Sequence, residues 1–140
     1  MRREATAPTT LSIDLLDRAA TATRHALEQV LAPHELTLDG WRVLQTLCVD
    51  GAQSMGPLSE ATRTTAPTLT RLVDRLVARA LVYRNVDPAD RRRLRVHAAD
   101  RGRELHEQLW PPLQEAEALA LAGLADDELA TLRDLLGRLG

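Results

Sequence analysis

A chain of 140 residues suits one compact domain, or a small domain carrying flanking helices that belong to a partner subunit. Trp41, Trp110 and Tyr83 are its only Phe, Trp or Tyr residues, so the apolar mass comes from leucine, alanine and valine, a mixture that favours helices over a strand-rich fold. The formal net charge of −2 hides an asymmetry: residues 63–103 carry eleven arginines and four aspartates, a net of +7, which leaves −9 on the rest.

A single cysteine, Cys48, excludes an intramolecular disulfide and a cysteine-held metal, and His25, His34, His97 and His106 show no metal-ligand spacing, so neither metal nor cofactor is expected. No run of eighteen uncharged apolar residues occurs, and the start MRREATAPTTLS lacks the apolar stretch of a signal sequence. The expectation is a soluble cytoplasmic protein with no membrane partner.

After a polar arm containing Pro8, residues 12–32 place Leu15, Leu16, Ala19, Ala22, Ala26, Leu27, Val30 and Leu31 on one helical face, and Pro33 ends it. A second helix follows in ELTLDGWRVLQTLCV, capped by Thr37, with Leu38, Trp41, Leu44, Leu47 and Cys48 toward a core. DGAQSMG breaks the pattern. A short third helix is expected over residues 57–62, capped by Ser54 and anchored by Leu58, Ala61 and Met55. The fourth has Thr65 as cap, Pro67 and Thr68 in its first turn, and Leu69, Leu72, Val73, Leu76 and Val77 as its buried face. Two helices around a tight RTT link have the outline of a helix-turn-helix.

From Leu81 the period changes to two. Val82, Arg84 and Val86 alternate with Tyr83 and Asn85, and Leu94, Arg95, Val96 and His97 alternate again after the DPADRR connection, which predicts a β-hairpin with a long loop. A hairpin directly after a helix-turn-helix is a wing. Residues 100–140 return to helix, with Pro111 and Pro112 expected to kink or restart it near Trp110. A last helix, with Asp126 as cap, aligns Leu129, Leu132, Leu135, Leu136 and Leu139. The leucines at the two ends of the chain, Leu15 and Leu16 with Leu129, Leu132 and Leu136, exceed what one small domain covers and predict a dimer. The expected fold is mainly α with a small β-hairpin wing. Residues 1–34 and 100–140 form a helical dimerisation region, and residues 35–99 a winged lobe.

Thr64, Thr65, Thr68 and Arg71 lie at the exposed start of the fourth helix, where a helix in the major groove meets base edges and phosphates; Arg75 shares the face of Arg71, with Arg79 one turn on. The same residues would equally form the solvated side of an amphipathic helix. In the wing, Asp87 and Asp90 are close enough in sequence to hold a guanidinium of Arg91, Arg92 or Arg93, ordering it for a narrow minor groove. A solvated loop with internal ion pairs is the alternative there.

LTLDGWRVLQTL, LTRLVDRLVARALVYR, DPADRRRLRV and the helical tail together resemble, in order and spacing, the MarR family of winged helix-turn-helix transcriptional regulators over residues 36–139. Asp90, Arg91 and Arg92 stand at the family's wing-tip acid and arginines, and residues 70–76 in its recognition-helix signature. The resemblance implies a homodimer with interlocked terminal helices, bound as a regulator, expected to be a repressor, to a roughly palindromic double-stranded operator. It also implies a small aromatic effector between the dimer helices and the lobe, with Trp41 and Trp110 as candidate contacts. The chain departs from the family in carrying Thr62, Arg63 and Thr64 where a leucine, a glycine and an apolar residue are usual, which exposes Arg63 to phosphate. Ala98 and Ala99 replace a leucine and a capping threonine, leaving Asp100 as the expected cap.

An enzyme is not expected: there is no glycine-rich phosphate loop, no paired histidine and carboxylate at a recognisable spacing, and no nucleophile motif around Ser12, Ser54, Ser59 or Cys48. Two rivals stay open. One is a winged module that binds protein without specific DNA binding; the other is a redox-sensing regulator using Cys48, for which an inert buried thiol is the plainer reading.

Overall fold

The computed structural model describes residues 9–140. The arm with Arg2, Arg3 and Pro8 lies outside the described residues. The chain runs α1 (Ser12–Leu31), a 3-10 turn (Ala32–His34), α2 (Leu38–Asp50), β1 (Gln53–Ser54), α3 (Met55–Thr62), α4 (Ala66–Ala78), β2 (Val82–Val86), β3 (Leu94–Ala98), α5 (Asp100–Ala120) and α6 (Asp126–Gly137). This is a mainly helical fold with a small antiparallel wing.

Pro33 cannot continue α1's hydrogen-bond ladder, so the chain tightens into the 3-10 turn and reverses through Glu35 at φ 54°. Thr37 then caps α2, its hydroxyl accepting the Gly40 N–H at 3.1 Å. Leu38, Trp41, Val43, Leu44 and Leu47 of α2 are buried, and α2 packs against α1, α3, α4 and α5, which makes it the hub of the core. Gly51, at φ 85°, turns the chain out of α2.

The polar break after α2 contains a strand that periodicity does not reveal. Gln53 and Ser54 pair with Val96 and Arg95, so the sheet has three strands in the order β1-β3-β2. Two residues are too few to show an alternation of period two. The hairpin itself is in register from Val82 opposite Ala98 to Val86 opposite Leu94.

Several helix ends differ from the expected ones. α3 starts at Met55, two residues before Pro57; Ser54 occupies its cap position without a side-chain bond. Its buried row is Leu58 and Thr62, four apart, while Ala61 is exposed at the side of that row. Thr65 sits at the cap of α4, yet its hydroxyl donates to the Thr68 hydroxyl (3.0 Å) and accepts no backbone N–H of the helix. At α5 the cap position falls on Ala99, and Asp100 opens the first turn. Ala125 takes the corresponding place at α6, where Glu128 accepts the Ala125 N–H at 3.0 Å and Asp126 lies in the first turn. α5 runs on through Pro111 and Pro112 without restarting. The amides they lack would have met the carbonyls of Glu107 and Gln108, both of them exposed residues, where solvent can replace the lost donors.

One close approach fixes how α5 enters the lobe. A Cβ on Gly102 would lie 2.0 Å from the Leu81 carbonyl oxygen, which already accepts the Ala99 N–H at 3.0 Å. Only a glycine lets the start of α5 cross the start of β2 at that distance. Gly102→Ala is expected to cost about 1–3 kcal/mol, as overpacking against backbone does. Urea unfolding followed by circular dichroism would show it as a lowered midpoint with an unchanged slope.

Candidate nucleic-acid interface

Burial of one face of α4 decides what its other face shows. Leu69, Leu72, Val73 and Leu76 are buried and Val77 is half-buried, while Pro67, Arg71 and Arg75 are exposed and Thr68 is half-buried. Arg71 and Arg75 stand one turn apart on the open side, as the spacing predicts. The α4 N-terminus carries no side-chain cap. Its first amides, and the Thr68 hydroxyl that accepts from Thr65 and keeps its own proton, are therefore open to an outside acceptor at the positive end of the helix.

The link before α4 is tied from within. Thr62 is only 7% exposed and donates to the Leu58 carbonyl at 2.7 Å. The Thr64 hydroxyl donates to the Thr62 carbonyl (3.1 Å), and Ser59 donates to the Thr64 carbonyl. Arg63 ends α3 in the left-handed region, at φ 51°. Thr62 thus fills the place of the usual leucine by satisfying its hydroxyl locally, and Arg63 adopts the conformation for which a glycine would be unstrained. Its side chain is exposed, with the guanidinium beside Gly140.

The eleven arginines of residues 63–103 divide into two groups. Four are held by the protein itself. Arg79 donates to the His34 and Glu35 carbonyls, Arg95 to the Ala52 carbonyl, Arg103 to the Ala98 carbonyl, and Arg84 of β2 pairs with Asp74 of α4. Arg79 therefore does not continue the open face of Arg71 and Arg75. The other seven are not so held: among the described residues, Arg63, Arg71, Arg75, Arg91, Arg92 and Arg101 make no ion pair, and Arg93 has only a loose one, 3.9 Å from Asp90.

At the wing tip the carboxylates act on the loop backbone. Asp90 accepts the Arg92 N–H at 3.0 Å and Asp87 accepts the Ala89 N–H at 2.9 Å, while Asp87 and Arg93 close the loop through their backbones at 2.8 Å. Among the described residues, Asp90 has one guanidinium within ion-pair distance, that of Arg93, at a loose 3.9 Å. The expected clamp on Arg91 or Arg92 is thus a clamp on the turn that presents them. A short aspartate reaches a backbone amide two residues on more readily than the far end of an arginine. Below the tip, Tyr83 and His97 stack across the strands with centroids 4.8 Å apart, which accounts for His97 without a ligand.

On the opposite side of α2, Trp41, His106 and Trp110 form a triangle of near-parallel rings, with centroid separations of 5.0, 5.9 and 6.5 Å. Trp41 is core, whereas Trp110 is 40% exposed. Beside them opens a cleft of about 410 Å³ between α1, α2 and α5, walled by Leu27, Leu38, Trp41, Arg42, Trp110 and Leu113. Burial pushes the Cys48 thiol above its ordinary range, with Arg103 opposing weakly and Glu107 reinforcing, the reverse of an activated thiolate. Among the described residues there is no His, Cys, Asp or Glu group able to hold a metal, and no helix is long and apolar enough to cross a membrane.

A helix-turn-helix followed by a three-stranded wing, with free arginines on both, defines a winged helix-turn-helix protein. Residues 34–93 match the family model described as MarR family. The HTH-type transcriptional regulator YsmB of Bacillus subtilis is 30% identical over 111 residues, 79% of this chain and 76% of that protein. BpsR of Bordetella bronchiseptica, whose DNA binding is regulated by 6-hydroxynicotinic acid, is similar in structure with a TM-score of 0.84 and 29% identity, over 94% of each chain. A cysteine-to-serine mutant of E. coli MarR bound to operator DNA gives 0.81 and 26%, over 90% of this chain and 91% of that one. The chain belongs to the MarR family and is a DNA-binding transcriptional regulator, not an enzyme.

Two measurements check the local chemistry. Arg63→Gly relieves the left-handed strain and is expected to raise stability by about 1 kcal/mol in urea unfolding while weakening DNA binding. Buried beside the tryptophans, His106 has its pKa lowered below 6.5, with Glu107 partly opposing, and its Nε2 has no partner. The folded state therefore resists the proton that the unfolded chain accepts, so stability holds above pH 6.5 and falls as the pH drops through and below that value. Urea midpoints at pH 7.5 and 5.5 should fall further for the native chain than for His106→Phe.

Proposed function

We propose that the chain acts as a homodimeric repressor of a roughly palindromic operator. In this reading α4 enters the major groove with Thr64, Thr65, Pro67, Thr68, Arg71 and Arg75, and Arg63 meets phosphate at its turn. The wing loop, shaped by Asp90 and flanked by Arg93, carries Arg91 or Arg92 to the adjoining minor groove. The observation that carries the proposal is the absence of any ion pair on Arg71, Arg75, Arg91 and Arg92 among the described residues, although each is exposed. Guanidinium groups with no ion-pair partner among the described residues are available to a polyanion.

Dimerisation is supported by the apolar surface of the terminal helices. Leu15 is 54% exposed and Leu16 42%, no residue of α6 is buried, and Leu135, Leu136 and Leu139 face water beside the half-buried Leu129 and Leu132. A second copy covering residues 1–34 and 100–140 would bury this surface and set two lobes, residues 35–99, side by side. The cleft beside Trp41 and Trp110 has the volume of a small-ligand site, and Arg42 on its rim, paired at 3.0 Å with the exposed Asp39, would exchange that partner for the carboxylate of an aromatic acid. That BpsR responds to 6-hydroxynicotinic acid supports the same class of effector here.

Fluorescence anisotropy of a labelled duplex from upstream of the chain's own gene, beside a random duplex, tests the reading. The expected result is tighter binding to the first, with log affinity falling linearly in log salt. Arg71→Ala should cost about 1–3 kcal/mol on the specific duplex, and Arg92→Ala should act most where the flank is rich in A·T. Equal weak binding to both duplexes would favour a winged module without specific DNA binding, and no binding would refute the proposal.

A further inference from the structure

Arg79 belongs to the basic block by sequence and to the scaffold by geometry. It follows the last residue of α4, and its guanidinium spans 44 and 45 residues of sequence to donate to the Glu35 carbonyl at 3.0 Å and the His34 carbonyl at 2.7 Å. Those oxygens are adjacent, and both lie on the turn by which the chain leaves α1 for α2. The turn is itself fixed: the Glu35 N–H bonds to Ala32 at 3.0 Å, the Leu36 N–H to Leu31 at 3.3 Å, and Leu31 and Leu36 are both buried. Glu35 holds a left-handed conformation there, so the two carbonyls point where the fork can take both.

We propose that Arg79 is a positioning residue for DNA recognition: it latches the C-terminal end of α4 to the turn after α1, and so fixes the angle at which the recognition helix leaves the dimer frame. The inference rests on the dimeric DNA-binding reading above and adds the element that sets its geometry. Leverage makes the angle matter. Thr68 lies eleven residues before Arg79, roughly 16 Å along a helix rising 1.5 Å per residue. A tilt of about 10° at the latch would shift that end by roughly 3 Å, beyond the range over which a hydrogen bond to a base edge survives. Contacts with phosphate tolerate such a shift, because the backbone offers a continuous row of acceptors. The latch therefore serves discrimination between sequences more than affinity in general.

Its chemistry is specific to arginine. A planar fork meets two adjacent carbonyls at once, and an ammonium on a flexible stem does not. Side by side with Glu35, Arg101 and Glu104, the guanidinium borders an open cleft of about 400 Å³, so packing alone does not hold it in place.

The test compares Arg79→Gln and Arg79→Lys with the native chain. Both variants are expected to lose about tenfold in the ratio of specific to random duplex affinity, with the salt slope unchanged. Full rescue by lysine, or a salt slope shallower by about one per protomer, would mean that Arg79 touches phosphate and would overturn the proposal. Spin labels at Thr70 and Ala20 of one chain, in a Cys48→Ser background diluted with unlabelled protein, give a readout that needs no DNA. The distance distribution should broaden in Arg79→Gln below its melting temperature; an unchanged distribution would also overturn the latch. Failure of the native chain to prefer its own duplex would instead count against the regulator reading, while the label distances still decide the role of Arg79.

Discussion

The seating of α4 on the core is the contact on which the rest of this molecule depends. Leu69, Leu72, Val73 and Leu76 are withdrawn from water against α2, α3 and β2. Each fully buried side chain of this kind contributes about 1.5–3 kcal/mol as an upper estimate. The helix cannot rotate by more than a fraction of a turn without exposing them. Arg71 and Arg75 are therefore presented outward by hydrophobic burial on the opposite side, and no separate device is needed to aim them. What burial leaves undetermined is tilt, and the polar contacts at the helix ends address that: Asp74 to the wing strand through Arg84, and Arg79 to the turn after α1.

Much of this was legible in the sequence because the dominant signal is periodic. The leucine and valine stripe of α4, the change to period two at Leu81 and the second alternation from Leu94 place the helix-turn-helix and the wing within a residue or two. Short or strongly context-dependent features were not legible. Gln53 and Ser54 form a strand only because β3 offers them an edge. α5 runs through two prolines where Glu107 and Gln108, the residues whose carbonyls lose an amide partner, are exposed and Leu109 and Leu113 are held in the core. Caps were expected at the nearest polar residue, Ser54, Asp100 and Asp126; backbone geometry put the boundary at that residue or one before it, and neighbouring side chains took the bond or left it unmade.

The candidate site shows the same division. Which arginines of α4 are exposed follows from helical periodicity, and the proposed wing residues, Asp90 to Arg93, fall in the loop that the two strand alternations leave between them. Which arginines are already occupied does not follow, because their partners are distant carbonyls. Ala52 is 43 residues from Arg95, and Glu35 is 44 from Arg79. A charge count therefore overstates the groups free to meet DNA. Asp90 shows the reverse case: it was expected to order an arginine side chain, and it orders the amide of Arg92, which fixes the loop and leaves Arg91 and Arg92 unpaired.

The central proposal is that helix and wing engage one duplex at different places, α4 at the half-site centres and the wing loop beyond them. An iron chelate tethered to a cysteine at Ala89, in a Cys48→Ser background, would cleave DNA within a few ångströms of the wing tip. The account predicts cleavage in the minor groove at two symmetric positions flanking the operator, outside the pair cut from a chelate at Thr70. Cleavage from Ala89 inside the half-sites, or spread evenly along the duplex, would contradict it.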